Sequence, residues 1–457
     1  MATSPEGIYE PGVIHPGFPK SNPTQSFWLT QPSPIHDHRS PWKDTADIAI
    51  IGSGMTSVSL CRSLLATRPE LNITVLDARG LCAGATGRNG GHVKAVSPGV
   101  WYERKKHFGV KEALRIMAYE HSHVDYIAEC VRENNIDCDL HLVEGLDVYH
   151  DTSIYSNAVS ALEDLRKYDP SLASRYTVYM AREELDKRNC RPHVVGAIGM
   201  PAATCWPYKF VTFLFAKMLK AHSSLNIQST TAVTAVLDSD VDDADTAVVR
   251  TDRGDIRARH VVHATNCWVG DLLPKLRPFV SPVRANVQRQ VPLSMEGKPA
   301  PITWRAENSF WLRYAEHDYD YMVQRPDGAF IIVRANTGRR ATSDDSTMDL
   351  HSQTHIRGTT PLLFDFRVPA MQTTHAWSGL VAFTLDGSPF VGQLPYPGRS
   401  HQWVCAAYQG IGMVRAFRTA QLLAMLILGK EVPTDYPRSM FLTTDRVRKF
   451  NGEVSKL

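Results

Sequence analysis

The feature that most constrains this chain is a glycine-rich turn between two apolar segments near its amino end. The apolar run 48–51 leads into Gly52 and Gly54, and a second apolar run, 73–76, ends at Asp77. A strand, a Gly-x-Gly turn, a helix and a second strand that ends in an acid are typical of a dinucleotide-binding βαβ unit. The glycines let backbone approach a diphosphate, and the acid accepts hydrogen bonds from a ribose. The chain is therefore predicted to bind a nucleotide cofactor.

The residues between the two runs support this interpretation. Ser57, a small residue, stands where a third glycine is usual, and Val58, Cys61 and Leu64 recur at helical spacing. Because the whole strand-turn-helix-strand unit is in place, the prediction depends on more than one glycine pair.

Composition excludes several other classes. A chain of 457 residues has room for two domains, and its net charge of +3 gives no bulk attraction to nucleic acid or anionic membranes. The eight cysteines include no C-x-x-C pair and no metal-ligand spacing, so no metal is predicted. The apolar run 422–428 is too short to span a bilayer, and no membrane span is expected.

The two ends of the sequence carry their own expectations. Residues 1–44 are rich in proline and are predicted to form an extended arm over the surface, with 27–29 as a docking point. The last three residues, Ser455-Lys456-Leu457, match a peroxisomal targeting signal. They predict a eukaryotic source, a peroxisomal import receptor as partner and a peroxisomal location, with the cytoplasm as the alternative.

Later segments repeat the theme of small-residue turns beside strands. Residues 83–92 form a glycine-rich loop, and the strand at 256–263 ends in the small-residue turn 264–268. Alternating apolar and polar residues between 282 and 334, with a hairpin turn at 327–328, predict an antiparallel sheet.

Together these segments resemble the FAD-dependent amino-acid and amine oxidases related to D-amino acid oxidase, glycine oxidase and sarcosine oxidase. The pattern of motifs is most similar to that of γ-glutamylputrescine oxidases and their fungal relatives. The resemblance covers about residues 45–430 and is carried by the segments IIGSGMTS with its later acid, GATGRNGGH, VVHATNCW, QRPDG, WSGLVAFTLDGSPFVG and YQGIGM.

The resemblance implies an α/β fold in which a Rossmann-like FAD-binding domain with a parallel sheet is joined to a substrate domain built on an antiparallel sheet. It assigns residues 45–100, 200–275 and 370–435 to the FAD-binding domain, 101–199 and 276–369 to the substrate domain, and 436–457 to a carboxyl-terminal tail. FAD is expected to lie extended between the two.

The same resemblance implies which residues hold FAD. Around the diphosphate, the ribose and the adenine it assigns Gly52, Gly54, Met55, Thr56, Ser57, Asp77, Ala78, Arg79, Val233, Ala264, Thr265 and Trp268. Beside the diphosphate and the ring it assigns Thr86, Gly87, Arg88, Asn89, Gly90, Gly91, Gly410, Ile411, Gly412 and Met413. Noncovalent FAD is predicted because no cysteine stands near Gly379, with His92 and Cys405 as alternative attachment points.

The candidate catalytic residues are basic and aromatic side chains. Arg88, His92 and Lys94 are candidate positive groups near the flavin ring. Trp377, with Trp206 and Tyr208, is either a wall of an aromatic pocket or part of the core. Arg289 and Arg325 are either clamps for a substrate carboxylate or surface arginines in ion pairs.

The expected activity is oxidation of a C–N bond. An amine or amino acid loses a hydride to the flavin, an imine forms, and O2 takes the electrons and becomes hydrogen peroxide. Two alternatives remain open at this point: a flavin dehydrogenase of specialised metabolism that uses another electron acceptor, and a non-catalytic FAD-binding protein in interaction or trafficking. Residues 200–215 and 284–340 are expected to shape the substrate pocket.

Overall fold

The computed structural model describes residues 15–238, 246–299, 307–315, 318–334, 341–364 and 370–454. The carboxyl-terminal tripeptide and the first fourteen residues of the predicted arm lie outside these ranges. Strands and helices in the described residues alternate along the chain in the manner of an α/β protein.

The strands are β1 Thr45–Ile51, β2 Ile73–Leu76, β3 His92–Lys94, β4 His141–Tyr149, β5 Thr177–Tyr179, β6 Gly196–Thr204, β7 Leu225–Gln228, β8 Val233–Asp238, β9 Ala247–Thr251, β10 Gly254–His263, β11 Val280–Leu293, β12 Asn308–Arg313, β13 Tyr319–Gln324, β14 Phe330–Arg334, β15 Ala370–Thr384, β16 Phe390–Gln393 and β17 Gln402–Ala406. The helices are α1 Met55–Thr67, α2 Trp101–Phe108, α3 Val110–Asn134, α4 Thr152–Tyr168, α5 Pro170–Ala173, α6 Arg182–Lys187, α7 Pro207–Ala221, α8 Val269–Leu272, α9 Leu350–Leu363, α10 Ala416–Ile427 and α11 Thr444–Val454.

The first sheet is the predicted Rossmann-like sheet with parallel strands. Its strands run β16-β17-β10-β1-β2-β7, and β17, β10, β1, β2 and β7 are parallel to their neighbours. The hairpin of β8 and β9 attaches to β10, and β16 is an antiparallel edge. Strand β2 is buried along its whole length, as expected for a parallel strand covered on both faces.

The second sheet confirms the predicted antiparallel substrate domain. Its order is β15-β11-β14-β13-β12-β4-β6-β3, and β5 pairs with β6. Neighbours are antiparallel except β4 and β12, which run parallel because β4 comes from a much earlier part of the chain.

The structure places the border between the two domains differently from the sequence assignment. Strand β3 pairs with β6, and β15 pairs with β11 along nearly its full length, so both belong to the second sheet. The sequence assignment put residues 92–94 and 370–384 in the FAD-binding domain. The reason for the difference is that both strands gain their hydrogen bonds from strands distant in the sequence, which the local pattern does not show.

Two residues with positive φ set local boundaries. Gly109 has φ +78 and ends α2 before α3 begins. Thr230, whose φ is +47, lies in the turn that separates β7 from β8. In both places, positive φ interrupts a run whose hydrophobic pattern looks continuous.

The amino-terminal arm docks where the sequence indicated. Trp28 is completely buried, and its indole packs edge-on to Trp206 at 5.5 Å between ring centroids. A short 3-10 helix, Phe27–Leu29, forms this contact. Trp28 therefore anchors the arm in the core, whereas most other residues of the arm are exposed or half-buried.

Candidate active site

A long cavity lies between the two sheets. One wall is formed by the carboxyl ends of β1, β2 and β10, and the other by β11 and β15. The loop 408–414 closes it from the side. A crevice at the carboxyl ends of parallel strands is where open α/β sheets bind their ligands.

The turn after β1 forms a cradle that side chains would fill. Gly52 has φ +107, and a Cβ there would lie 2.7 Å from the carbonyl oxygen of Ala264. A Cβ on Gly54 would lie 3.0 Å from Thr86 Oγ1, which accepts a hydrogen bond from the Met55 N–H at 3.1 Å. Residues 52–56, at the turn and the start of α1, line the cavity, and the start of a helix is suited to bind a diphosphate.

Asp77 stands at the end of β2 beside this cradle. Its carboxylate accepts hydrogen bonds from the N–H and Oγ of Ser53 and from the N–H of Arg79. Burial raises the pKa of Asp77, and these donors oppose the rise. Nearby, the guanidinium of Arg79 lies 5.3 Å above the Trp268 ring.

Two polar atoms in the same wall need a partner. Within the described residues, Thr265 Oγ1 and Trp268 Nε1 are buried with no hydrogen bond. Both residues line the cavity near Asp77. Unsatisfied buried polar groups are costly, so the wall is suited to a ligand that carries donors and acceptors, as a nucleoside does.

Most residues that the resemblance assigned to the cofactor line this cavity. They are Gly52, Gly54, Met55, Thr56, Asp77, Ala78, Arg79, Thr86, Arg88, Asn89, Val233, Ala264, Thr265, Trp268, Gly410, Ile411, Gly412 and Met413. Ser57, Gly87, Gly90 and Gly91 do not line it and are corrected to packing positions. The Ser57 hydroxyl donates to the Gly52 carbonyl at 2.6 Å. A Cβ on any of the three glycines would lie within 2.4 Å of a neighbouring atom, so they allow close packing.

His92 lines the opposite end of the cavity but is not a positive group. Burial lowers its pKa well below the ordinary range, and Lys94 adds to the effect. The Trp311 indole N–H donates to His92 Nδ1 at 3.2 Å, so the proton of the neutral ring lies on Nε2 and is donated to Ser309 Oγ at 2.7 Å. Both nitrogens are therefore engaged, and His92 orients Trp311.

Cys405, the other candidate for flavin attachment, is not in the cavity wall. The residue is fully buried in β17, its sulfur lies 3.2 Å from the Tyr408 hydroxyl, and burial raises its pKa to about 12. A protonated, enclosed thiol is not a reactive nucleophile.

Arg88 touches the cavity, but its charge is directed away from it. Its guanidinium donates to the carbonyl oxygen of Ser378 at 2.7 Å and to Thr24 of the arm. Burial lowers its pKa to about 10, which leaves the group charged at neutral pH. Arg88 is thus a structural tie between the glycine-rich loop, β15 and the arm, and its role beside the flavin ring stays a prediction.

Lys94 is the remaining cation of that prediction, and it is enclosed. Its Nζ donates to Asp147 Oδ1 at 2.8 Å and to the Ala95 carbonyl at 3.1 Å, and it lies 4.4 Å from the centre of the Trp311 ring. Burial lowers the pKa of Lys94 to about 8, and Asp147 prevents a larger drop. Its charge therefore changes close to physiological pH.

Arg289, Arg325 and Trp377 do not reach the cavity, so their predicted catalytic roles are not supported. Arg289 pairs with Asp327 at 2.7 Å and lies over the Phe27 ring. Arg325 pairs with Asp139 and lies over Trp28 and Trp206.

Trp377 is completely buried and donates to the Arg88 carbonyl at 2.9 Å. The arm covers this end of the sheet, which the sequence does not reveal. Trp206 and Tyr208 are likewise core aromatics beneath the arm.

A second cavity adjoins the first. It has a volume of about 350 Å³, and Trp311, Tyr319 and Ile411 form part of both walls. A space of this size accommodates a small organic molecule. Its far side is formed by α2, α4 and the segment 387–389.

Arg313 is the functional candidate that sequence reasoning missed. It lines the second cavity with 8 % of its side chain exposed, and its guanidinium stacks on Trp311 at 4.8 Å and Tyr319 at 4.9 Å. Its Nε and Nη2 have no hydrogen-bond partner among the described residues, and Nη2 is 3.8 Å from Asp147 Oδ2. The alternation along β12, which places Arg313 on the same face as Trp311, was the available signal.

The cradle, the acid and the roofing sheet define a two-domain enzyme fold that binds a dinucleotide. The model of the family described as FAD dependent oxidoreductase (DAO) matches residues 47–426. The chain belongs to this family, and its cofactor is FAD, as predicted.

Similar proteins agree with this assignment. The chain is 27 % identical over 403 residues to a probable oxidoreductase, OrdL, of Rhizobium meliloti (strain 1021), with 86 % of each chain covered. It is 25 % identical over 197 residues to the glycine oxidase of Bacillus subtilis (strain 168), covering 42 % of this chain and 48 % of that one. Among solved structures, glycine oxidase from Geobacillus kaustophilus superposes with a TM-score of 0.67 at 17 % identity, covering 88 % of this chain and 99 % of that chain. L-amino acid deaminase from Proteus vulgaris gives 0.67 at 16 % identity, covering 89 % and 99 %.

The described residues contain neither a candidate membrane-spanning helix nor a candidate metal-binding cluster. None of their helices combines the length and apolar character that crossing a bilayer requires. No group of three or more His, Cys, Asp or Glu side chains among them is arranged to hold a metal ion.

Proposed function

We propose that this protein is an FAD-dependent oxidase that acts on the C–N bond of an amine carrying a carboxylate, that is, an amino acid. The observation that carries the proposal is Arg313, a buried guanidinium whose Nε and Nη2 have no hydrogen-bond partner among the described residues, in a cavity that shares aromatic walls with the FAD cavity. Family membership and the named relatives that act on glycine and other amino acids support the same reaction class.

In this proposal, Ile411 and Trp311 would bound the end of the first cavity that holds the flavin ring, and the second cavity would take the substrate. When bound, FAD would supply the redox chemistry: the carbon next to nitrogen would lose a hydride and leave an imine, and two electrons with two protons would then pass to O2 and give hydrogen peroxide.

The residues of the chain position the substrate. Arg313 holds a carboxylate through the paired donors of its guanidinium, and the Trp311 and Tyr319 rings fix the plane of that guanidinium. The neutral His92 holds Trp311 by its hydrogen bond. Aromatic walls exclude water, which favours the neutral amine that releases a hydride.

Lys94 supplies a positive charge for oxygen reduction. Its Nζ lies over the same Trp311 ring, and a fixed ammonium stabilises the negative charge that develops when O2 accepts electrons. Asp147 keeps Lys94 charged below about pH 8.

The carboxylate assignment is tested with Arg313→Met. We expect kcat/KM for amino acids to fall on the order of 10²–10³-fold, because a buried charge-assisted pair contributes about 3 kcal/mol or more. For amines that lack the carboxylate, kcat/KM should change little. The measurement is anaerobic reduction of the flavin absorption band by a panel of amino acids, including N-methyl, cyclic and D-forms, each beside its decarboxylated amine.

Arg289→Met is the matched control, since it removes a guanidinium that pairs with Asp327 outside both cavities. Equal losses in the two variants, or equal reduction by amines with and without a carboxylate, would contradict the role of Arg313. If substrate reduces the flavin but air reoxidises it only slowly, the protein is a dehydrogenase that uses another electron acceptor. If no amine or amino acid reduces the flavin, the result favours a non-catalytic FAD-binding protein.

The role of Lys94 predicts a pH dependence. The rate of flavin reoxidation by O2 should fall as pH rises through about 8, because Lys94 loses its proton there. In Lys94→Met the rate should be on the order of 10²-fold lower at pH 7 and independent of pH. Stopped-flow mixing of reduced protein with O2 measures both. Lys105→Met, which removes a lysine paired with Asp164 outside the cavities, should retain the wild-type profile; a Lys94→Met variant with that same profile would refute the assignment.

A further inference from the structure

The arm, defined as the described residues 15–44, borders the FAD cavity with its first residues. Gly17, Phe18 and Pro19 line the cavity whose wall also contains Asp77 and Trp268. Nothing in the family resemblance assigned these positions to the cofactor. A segment that precedes β1 in sequence thus forms part of the wall at the adenosine end.

Two contacts lie where the arm starts at the rim. His15 Nδ1 accepts a hydrogen bond from the Gly17 N–H at 3.0 Å and lies 3.4 Å from Asp271 Oδ1, and Asp271 itself lines the cavity. The Ser343 hydroxyl donates to the Pro16 carbonyl at 2.6 Å, and Pro16 is buried. These contacts join the arm to α8 of the first domain and to a segment between β14 and β15 of the second sheet.

A second anchor lies a few residues further along. The Thr24 N–H donates to the Asp345 carbonyl at 2.8 Å, and Thr24 Oγ1 accepts from the Ser378 N–H at 2.9 Å. Arg88 donates to the same threonine. From here the arm continues beneath the glycine-rich loop, where Ser26 Oγ donates to the Gly87 carbonyl at 2.8 Å.

Residues 15–23 therefore run between two anchors past the opening of the FAD cavity. We propose that this segment is a strap that encloses the adenosine end of FAD, and that FAD leaves only when the rim anchor at His15 and Ser343 opens. Enclosing a ligand lowers its dissociation rate more than it changes its association rate. The firmer anchor at Thr24 makes the segment before it the part that moves.

The strap is tested by the double variant His15→Ala/Ser343→Ala in the full-length holoprotein. We expect FAD to dissociate on the order of tenfold faster, measured by the rise of free-flavin fluorescence after dilution. Thr30→Ala is the matched control: it removes a hydroxyl of the same arm that bonds only locally to the Phe27 carbonyl, and it should leave the rate unchanged. A dissociation rate in the double variant equal to that of the wild type would overturn the proposal.

A second measurement uses the unaltered protein and does not depend on the variants folding. Lys20 is exposed within the strap, and Lys187 is exposed at the end of α6. Trypsin should cleave after Lys20 more slowly when FAD is added to the apoprotein, while cleavage after Lys187 keeps its rate. Equal cleavage after Lys20 with and without FAD would contradict a strap that closes over the cofactor. Neither measurement involves an amine, so the result is independent of the proposed oxidase activity.

Discussion

Gly52→Ala is expected to give a folded protein that is purified without FAD. The new Cβ would lie 2.7 Å from the Ala264 carbonyl, and this backbone atom cannot rotate away as a side chain would. The residue would also keep φ +107, which costs an L-amino acid about 1–3 kcal/mol. Relief requires the ends of β1 and β10 to separate, and this displaces the N–H groups that face the diphosphate.

The measurement is the ratio of FAD to protein after gel filtration, followed by titration of the apoprotein with FAD. Gly398→Ala is a control with the same kind of backbone strain, since Gly398 has φ +72 but a Cβ there would meet nothing within 4 Å. The difference between the two variants isolates the close approach at the cradle. Stoichiometric FAD in Gly52→Ala would show that the cradle does not bind the cofactor.

Replacing Glu120 is expected to cause the largest loss of stability. This carboxylate is 1 % exposed and accepts bonds from Arg104 at 2.8 and 2.9 Å and from Arg415 at 2.7 and 3.1 Å. Arg415 directly follows the loop 408–414 of the FAD cavity and also donates to the Gly387 carbonyl. Glu120→Ala leaves two buried guanidinium groups facing each other, and the free energy of unfolding should fall by about 3–5 kcal/mol.

The same triad predicts an acid dependence with a definite sign. Burial alone would raise the pKa of Glu120, but Arg104 and Arg415 outweigh it and hold the pKa at about 2. The folded-state pKa lies below the unfolded value of about 4.3. The contribution of the triad is therefore complete above that value and is lost as pH falls toward 2.

Urea unfolding at several pH values measures both effects. Glu120→Ala should lower the free energy of unfolding at pH 7. Between about pH 4.5 and 2, that free energy should fall less steeply in the variant than in the wild type. Glu129→Gln is the control on the same helix, because its pair with Arg132 is exposed and its removal should change stability by no more than about 0.5 kcal/mol. Equal unfolding free energies for the wild type and Glu120→Ala would show that the triad does not stabilise the fold.

The sequence alone predicted those site residues whose roles depend on the backbone and on short spacing along the chain. Gly52, Gly54 and Asp77 lie within one βαβ unit, so their roles follow from local chain geometry that any strand-turn-helix of this kind repeats. Residues 410–413 were instead assigned through the family resemblance, and they line the cavity. Alternation also predicted the second sheet and its hairpin at 327–328, because side-chain periodicity is a property of a single strand.

Only the tertiary structure decided which charged side chains face the cavities. Arg289 and Arg325 have the chemistry of a carboxylate clamp, but the arm covers their end of the sheet. Arg313 has the same chemistry and an open cavity before it. The interleaving of β3 and β15 with the second sheet likewise depends on pairing between distant segments. A residue type and its spacing fix what a side chain is able to do, whereas burial, pKa and access are set by segments far away in the chain.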